Sequence, residues 1–244
     1  MYGLIGRKIG HSFSADYFNK KFERENINDT YKLFPLETIN EFPKLLKDNP
    51  DIKGLNVTIP YKIDVISFLD SLSDEAIEIG AVNVIKVVND KGNIYLKGYN
   101  TDSIGFKESL IPLLHNGIKK ALILGTGGAS KAVEYVLKQL DISYTFVSRT
   151  PSDKELGYDD LTKDVINDNL LIINTTPLGM YPDIDNCPPI PYEYLTDKHI
   201  CFDVIYNPEE TEFMKRAKEK KATVKNGLEM LHKQAIAAWA IWNQ

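Results

Sequence analysis

The chain has 244 residues, 43% of them hydrophobic, and a formal net charge of −5; it is long enough for one large or two modest domains and carries no field that would draw nucleic acid. Two cysteines, Cys187 and Cys201, exclude a disulfide framework and suit a reducing compartment, so a cytoplasmic protein is expected. No stretch approaches the roughly 20 apolar residues of a membrane span, and the opening apolar run is too short for a secretion signal.

Residues 2–5 read as a strand ending at Gly6. Ser14 is placed to cap a helix over 15–25 whose Tyr17, Phe18 and Phe22 form one apolar stripe. Ser12 and Ser14 suit loop hydrogen bonding and ligand contact equally well. A strand over 30–36, a helix over 38–47 disturbed by Pro43, and a strand over 52–58 follow, the last running through Ile59-Pro60-Tyr61-Lys62 into a helix ending near 69. This alternation predicts an α/β layer with a mainly parallel sheet, in which ligands gather beyond the carboxyl ends of strands. Thr58 and Lys62 lie at such an end. Residues 73–79 form a helix capped by Ser73, and Gly80-Ala81-Val82-Asn83 leads into a strand over 84–88, a hairpin turn through 89–93 and a returning strand over 94–98. Asn100-Thr101-Asp102 opens a helix over 103–114; Asp102 reads either as a cap or as a group that faces a ligand and pairs with Lys62.

In the second half an apolar run, Leu122-Ile123-Leu124, meets Gly125-Thr126-Gly127-Gly128-Ala129-Ser130 and then an amphipathic helix to about residue 140. Strand, tight glycine turn and helix let backbone approach a phosphate and offer it bare N–H groups, which predicts a dinucleotide site. Ser130 stands where the fingerprint's third glycine is usual. The next strand, over 142–147, ends at Ser148-Arg149-Thr150. An NAD enzyme places an acid at this point to accept from the ribose 2′-hydroxyl; here an arginine stands instead, suited to the 2′-phosphate of NADP. A strand over 170–173 leads to a polar loop containing Thr175, a proline-rich loop spans 181–191, and a strand over 199–204 ends at Ile205-Tyr206-Asn207-Pro208. A helix over 209–220, a short strand over 222–224 and a final helix over 227–242 complete the chain.

Taken in order, His11-Ser12-Phe13-Ser14, Asn56-Val57-Thr58-Ile59-Pro60-Tyr61-Lys62, Gly80-Ala81-Val82-Asn83, Asn100-Thr101-Asp102, Gly125–Ser130, Ser148-Arg149-Thr150, Asp203-Val204-Ile205-Tyr206 and the segment from Gly227 to Gln234 make the chain resemble the shikimate dehydrogenase family. The resemblance implies an N-terminal α/β substrate domain over 1–101, completed by a C-terminal helix over 226–244. A Rossmann-like NADP-binding domain over 102–225 faces it across a cleft. It implies NADPH-dependent reversible reduction of 3-dehydroshikimate to shikimate in aromatic amino-acid biosynthesis, by a monomer or homodimer without metal. Residue by residue, Lys62 and Asp102 match the catalytic pair, and Ser12, Ser14, Thr58, Asn83, Tyr206 and Gln234 match substrate-binding positions. The cofactor positions are Gly125, Thr126, Gly127, Gly128, Ala129, Ser148, Arg149, Thr150, Thr175, Val204 and Gly227. Ala15 stands where the family often has proline, and Ser148 where asparagine is common. A quinate/shikimate dehydrogenase using NAD, a non-catalytic dinucleotide sensor and a folate-linked dehydrogenase are the rival readings. Whether Lys62 transfers a proton or acts electrostatically stays open at this level.

Overall fold

A computed structural model describes residues 1–10, 12–90 and 93–244; His11, and the Lys91-Gly92 centre of the expected hairpin turn, lie outside the described residues. The chain divides into two compact units, residues 1–101 with 235–244, and residues 102–234.

In the first unit β1 (Tyr2–Gly6), wholly buried, pairs in parallel with β2 (Tyr31–Pro35) and β3 (Gly54–Val57). Between them α1 (Phe13–Arg24) turns Phe18 and Phe22 inward. Its cap is Ser12, not Ser14: the Ser12 hydroxyl accepts from the Ser14 N–H at 3.2 Å, so the helix starts two residues earlier than expected and Ser14 is buried in its first turn. α2 (Phe42–Asp48) carries Pro43 in its first turn, where its missing N–H costs nothing, after a short 3₁₀ turn over Ile39–Glu41. The helix expected after Lys62 is instead a 3₁₀ turn over Asp64–Phe68.

The strand β4 (Ser71–Leu72) precedes α3 (Asp74–Ile79), which Ser73 caps as expected and Gly80 ends in the left-handed conformation, φ 66°. β5 (Val84–Asp90) and β6 (Asn93–Tyr99) then form a hairpin, and β5 runs antiparallel to β3. The sheet, in the order β2-β1-β3-β5-β6-β4, has the parallel pairings expected between β1 and β2, β1 and β3, and β4 and β6, and two antiparallel ones where β5 joins β3 and β6. A hairpin reverses direction within a few residues, whereas a parallel neighbour needs a crossover.

The second unit opens on α4 (Asp102–Leu110) and holds a second six-stranded sheet. β7 (Lys120–Leu124), α5 (Gly128–Gln139) and β8 (Ser143–Ser148) form its first βαβ unit, with β7 and β8 paired in parallel. β9 (Leu156–Gly157), α6 (Lys163–Asp168), β10 (Leu171–Asn174), β11 (Ile200–Asp203), α7 (Glu212–Glu219) and β12 (Thr223–Lys225) complete it. The order β12-β11-β10-β7-β8-β9 is parallel throughout. β7, β10 and β11 are apolar runs buried on both faces, as central parallel strands must be.

The last helix, α8 (Leu228–Trp242), is divided between the units. Its first part, through Gln234, groups with the second unit, not the first. The reasons are local: the Gly227 N–H donates to the Ile205 carbonyl at 2.9 Å, Lys233 pairs with Glu108 at 3.0 Å, and a Cβ on Gly105 of α4 would overlap the Met230 carbonyl. From Ala235 onward the helix completes the core of the first unit. Trp242 lies 4.8 Å from the Tyr2 ring and 5.2 Å from Phe18, and its indole N–H donates to the Ile85 carbonyl at 3.0 Å. Its ring fills the space that a side chain on Gly54 would take. Trp242→Ala should therefore cost about 3–5 kcal/mol in urea unfolding, a cavity and a lost hydrogen bond together.

Candidate active site

In the first unit the expected substrate residues gather at the carboxyl ends of β1 and β3. Thr58 follows β3, and its N–H donates to the Ile5 carbonyl at 3.0 Å. A side chain on Gly6 would overlap the Thr58 methyl and Ile9, so glycine lets the β1 loop pass close to Thr58. Tyr61, buried, donates its hydroxyl to the Leu36 carbonyl at 2.6 Å and anchors the turn that presents the half-buried Lys62. The Lys62 carbonyl in turn accepts from the Val82 N–H at 2.7 Å, which sets it beside the segment carrying Asn83.

Asn83 is less available than its sequence suggests. Its amide donates to the Thr101 hydroxyl at 3.0 Å and its oxygen accepts from the Thr101 N–H at 2.7 Å. Its backbone carbonyl accepts from the Val57 N–H at 2.8 Å. A second chain of polar groups runs beneath the same strand ends. Ser14 is buried beside the Tyr31 hydroxyl, which donates to Asn56 at 2.7 Å. Burial pushes the Tyr31 phenol well above its ordinary pKa, so it stays a neutral donor. Sequence reasoning gives neither Tyr31 nor Asn56 a role: both enter as strand residues, Asn56 also as the first residue of a block that carries the resemblance.

In the second unit α5 begins directly after the glycine turn. Gly125 has φ 97°, the left-handed region that favours glycine, and a Cβ there would lie 2.9 Å from the Thr176 methyl. Gly127 is the N-cap residue, with no side-chain cap and no acid in the first turn. A Cβ on Gly127 would meet no atom within 4 Å, so its bareness leaves the helix N-terminus open to an approaching group. The first N–H groups of a helix have no intrahelical acceptor and carry the positive end of its dipole. This donor set fits a pyrophosphate. Ser130 is buried where a third glycine is usual, and its hydroxyl donates to the Gly127 carbonyl at 2.6 Å, fastening the turn.

At the end of β8, the Ser148 hydroxyl accepts from the Thr150 N–H at 3.3 Å and shapes the bend that exposes Arg149. Arg149 makes no ion pair among the described residues, which leaves its guanidinium fork open to a phosphate. Thr175 donates both its N–H, at 3.0 Å, and its hydroxyl, at 2.7 Å, to the Leu124 carbonyl, closing the end of β7 below Gly125. Val204 and Gly227 are adjacent: a Cβ on Gly227 would overlap the Val204 carbonyl. Tyr206 follows on the same half-buried segment. Asp102, buried as the first residue of α4, and Gln234, buried on α8, belong to the second unit, with Tyr206. The other expected substrate residues belong to the first.

Sequence reasoning gives no role to Asp203 and Asn174, both fully buried. One Asp203 oxygen accepts from the Ile205 N–H at 3.0 Å and the Asn174 amide at 3.1 Å; the other accepts from the Thr211 hydroxyl at 2.6 Å. Burial outweighs these hydrogen bonds and pushes the carboxyl up to about 6. Only the fact that an acid ends an otherwise apolar strand could have signalled it. Among the described residues no group of three or more His, Cys, Asp and Glu side chains is arranged to hold a metal ion, and no helix is long and apolar enough to cross a membrane.

Residues 4–85 match the family model of the shikimate dehydrogenase substrate binding domain. Over its whole length the chain is 41% identical to an NADP(+) shikimate dehydrogenase of Clostridium beijerinckii, covering 92% of that relative. A shikimate dehydrogenase solved in complex with NADP+ superposes with a TM-score of 0.86 at 33% identity, over 99% of this chain and 88% of that one. The Thermus thermophilus shikimate 5-dehydrogenase, solved with NADP(H) and shikimate, gives a TM-score of 0.85 at 28% identity, over 99% and 92% of the two chains.

The buried Asp203 has a consequence for stability. Its folded pKa lies above the ordinary carboxylate value, so between about pH 4 and 6 the native state holds this proton more tightly than the unfolded chain does. The stability this group confers is thus complete at low pH and is lost as pH rises through about 6. Asp203→Asn removes the titration. From pH 4 to pH 7 the difference in urea unfolding free energy should move in favour of the variant by about 2 kcal/mol.

Proposed function

This chain belongs to the shikimate dehydrogenase family, and on that premise we propose how its residues interconvert 3-dehydroshikimate and shikimate as an NADP-dependent oxidoreductase. The observation that carries the reading is in the second unit: an uncapped α5 N-terminus without acids lies one strand away from an exposed arginine that makes no ion pair among the described residues. The first suits a pyrophosphate, the second a 2′-phosphate.

When bound, NADPH supplies the hydride that reduces the ketone. The residues do the rest. Gly125–Ala129 receive the pyrophosphate, with Thr175 holding the turn from below. Arg149 takes the 2′-phosphate, with Ser148 and Thr150 shaping its loop. Val204 and Gly227 offer backbone to the nicotinamide end. Ser12 and Ser14 hold the substrate carboxylate together with Tyr206. Thr58, Asn83 and Gln234 bind ring hydroxyls; Asn83 also fixes Thr101, whose peptide bond leads to Asp102. The ammonium of Lys62 stabilises the charge that develops on the carbonyl oxygen and delivers or relays the proton. Asp102 accepts from the neighbouring hydroxyl and orients the lysine. In this reading the first unit supplies Lys62, Ser12, Ser14, Thr58 and Asn83, and the second supplies the cofactor positions together with Asp102, Tyr206 and Gln234. The reading carries with it a cytoplasmic enzyme, a monomer or homodimer acting on a small molecule, in keeping with the net charge of −5 and two unpaired cysteines.

Mixing the protein with shikimate and NADP+ should raise NADPH absorbance; no change with either NADP+ or NAD+ ends the proposal. Lys62→Ala should lower kcat at least 100-fold with an unchanged circular dichroism spectrum, and a loss under about tenfold would remove Lys62 from the chemistry. Arg149→Ala should raise KM for NADP+ about tenfold or more while leaving KM for NAD+ within about twofold, since only the former carries the phosphate that the arginine meets.

A further inference from the structure

A carboxylate with no solvent exposure, at the end of an apolar strand, is expensive to keep. Asp203 touches none of the groups to which the chemistry is assigned. Its hydrogen bonds nonetheless lead to two of the loops that border the cofactor. On one side it accepts from the Ile205 N–H, which shapes the turn carrying Val204 and Tyr206. On the other it accepts from the Asn174 amide. A carboxylate accepts only, so the Asn174 NH2 must face Asp203 and its oxygen must face away. That oxygen takes both the Thr176 hydroxyl, at 2.7 Å, and the Thr176 N–H, at 3.0 Å. Thr176 in turn lies against Gly125, and Thr175 beside it closes the end of β7. The path from Asp203 to the glycine turn is continuous and entirely within the second unit.

We propose that Asp203 is a positioning residue for dinucleotide binding: its charged acceptor holds the Asn174 amide, and through it seats the loop after β10 against Gly125, while also holding the Val204–Tyr206 turn. The inference rests on the NADP reading above and extends it to a residue remote from the ligand. Asparagine at 203 keeps the shape, but it must turn its oxygen to the Ile205 N–H and the Asn174 amide and its NH2 to Thr211, so the bonds that seat the two loops lose the strength a charged acceptor gives them.

Charge at this position is set by Asp203 alone. Cys201, on the same strand, is held neutral by burial, which pushes its thiol up to about 12. The partners from β10 and α7, Asn174 and Thr211, do not titrate in this range, and Lys225 on β12, opposite Phe202, is paired with Glu229. A proton on Asp203 removes the charge from the acceptor and so has the same effect as asparagine. The site should loosen as pH falls through about 6.

The test is calorimetric titration of the full chain with NADP+, alongside steady-state kinetics with shikimate. At pH 8 Asp203→Asn should weaken NADP+ binding about tenfold or more and leave kcat, at saturating NADP+ and shikimate, within about threefold. The ratio of variant to wild-type Kd should fall toward one as pH is lowered from 8 to 5; ionisation of the 2′-phosphate itself is common to both proteins and cancels. A merely structural aspartate would not give a variant that gains relative stability with pH while losing cofactor affinity over the same range. If Asp203→Asn does not fold, Thr211→Val should weaken NADP+ binding several-fold and Thr211→Ser should restore it. Equal NADP+ affinity in wild type and variant at pH 8, or a ratio that does not change with pH, overturns the inference and leaves the enzyme reading standing. Failure of the wild-type chain to bind NADP+ at all overturns both.

Discussion

A parallel strand that ends inside a protein leaves its last carbonyl and amide groups without a ladder partner, and each must be satisfied by something other than water. The second unit depends on how this is done. The Leu124 carbonyl, at the end of β7, takes two hydrogens from Thr175. Asn174, at the end of β10, takes two from Thr176 and gives one to Asp203 at the end of β11. Three adjacent strand ends are thus tied by side chains whose residues are also the first residues of the loops. The same demand shapes the first unit, where Asn83 serves Val57 and Thr101 at the end of β3. The ends of sheets are useful as binding surfaces because the hydrogen bonds that close them also determine where the loops go.

Much of this is legible in the residues. The apolar run into Gly125–Ser130, the following amphipathic helix and the next strand spell one βαβ unit, because periodicity changes from continuous to helical at the glycines. Arg149 stands out because an acid is missing there. Ser73 is recognisable as a cap because a helical pattern starts directly after it. Local chemistry of this kind needs no knowledge of the fold.

What is not legible depends on distant partners or on competition between neighbours. Ser12 and Ser14 are both good caps, and only the backbone decides between them; burial of Ser14 against Tyr31 settles it. The antiparallel β5 is hidden because a strand's residues do not reveal its direction. Asn83 promises a free amide, but Thr101, 18 residues later, takes much of it. Asp203 lies 29 residues from Asn174, and no sequence spacing announces that they meet. The resemblance gives all of 226–244 to the first domain, whereas the contacts divide α8 after Gln234. The contacts that divide it, Gly105 under Met230 and Tyr2 against Trp242, come from opposite parts of the chain.

That division of α8 bears on how the protein is made. The aromatic core around Tyr2, Phe18 and Phe22 is finished only by Trp239 and Trp242, which leave the ribosome after every residue of the second unit. During synthesis, therefore, the second unit has all of its chain available to fold while the first still waits with an incomplete core and exposed aromatic rings. The first domain to emerge is the last to close, and the interval between those events is the period when the nascent chain is most exposed to aggregation.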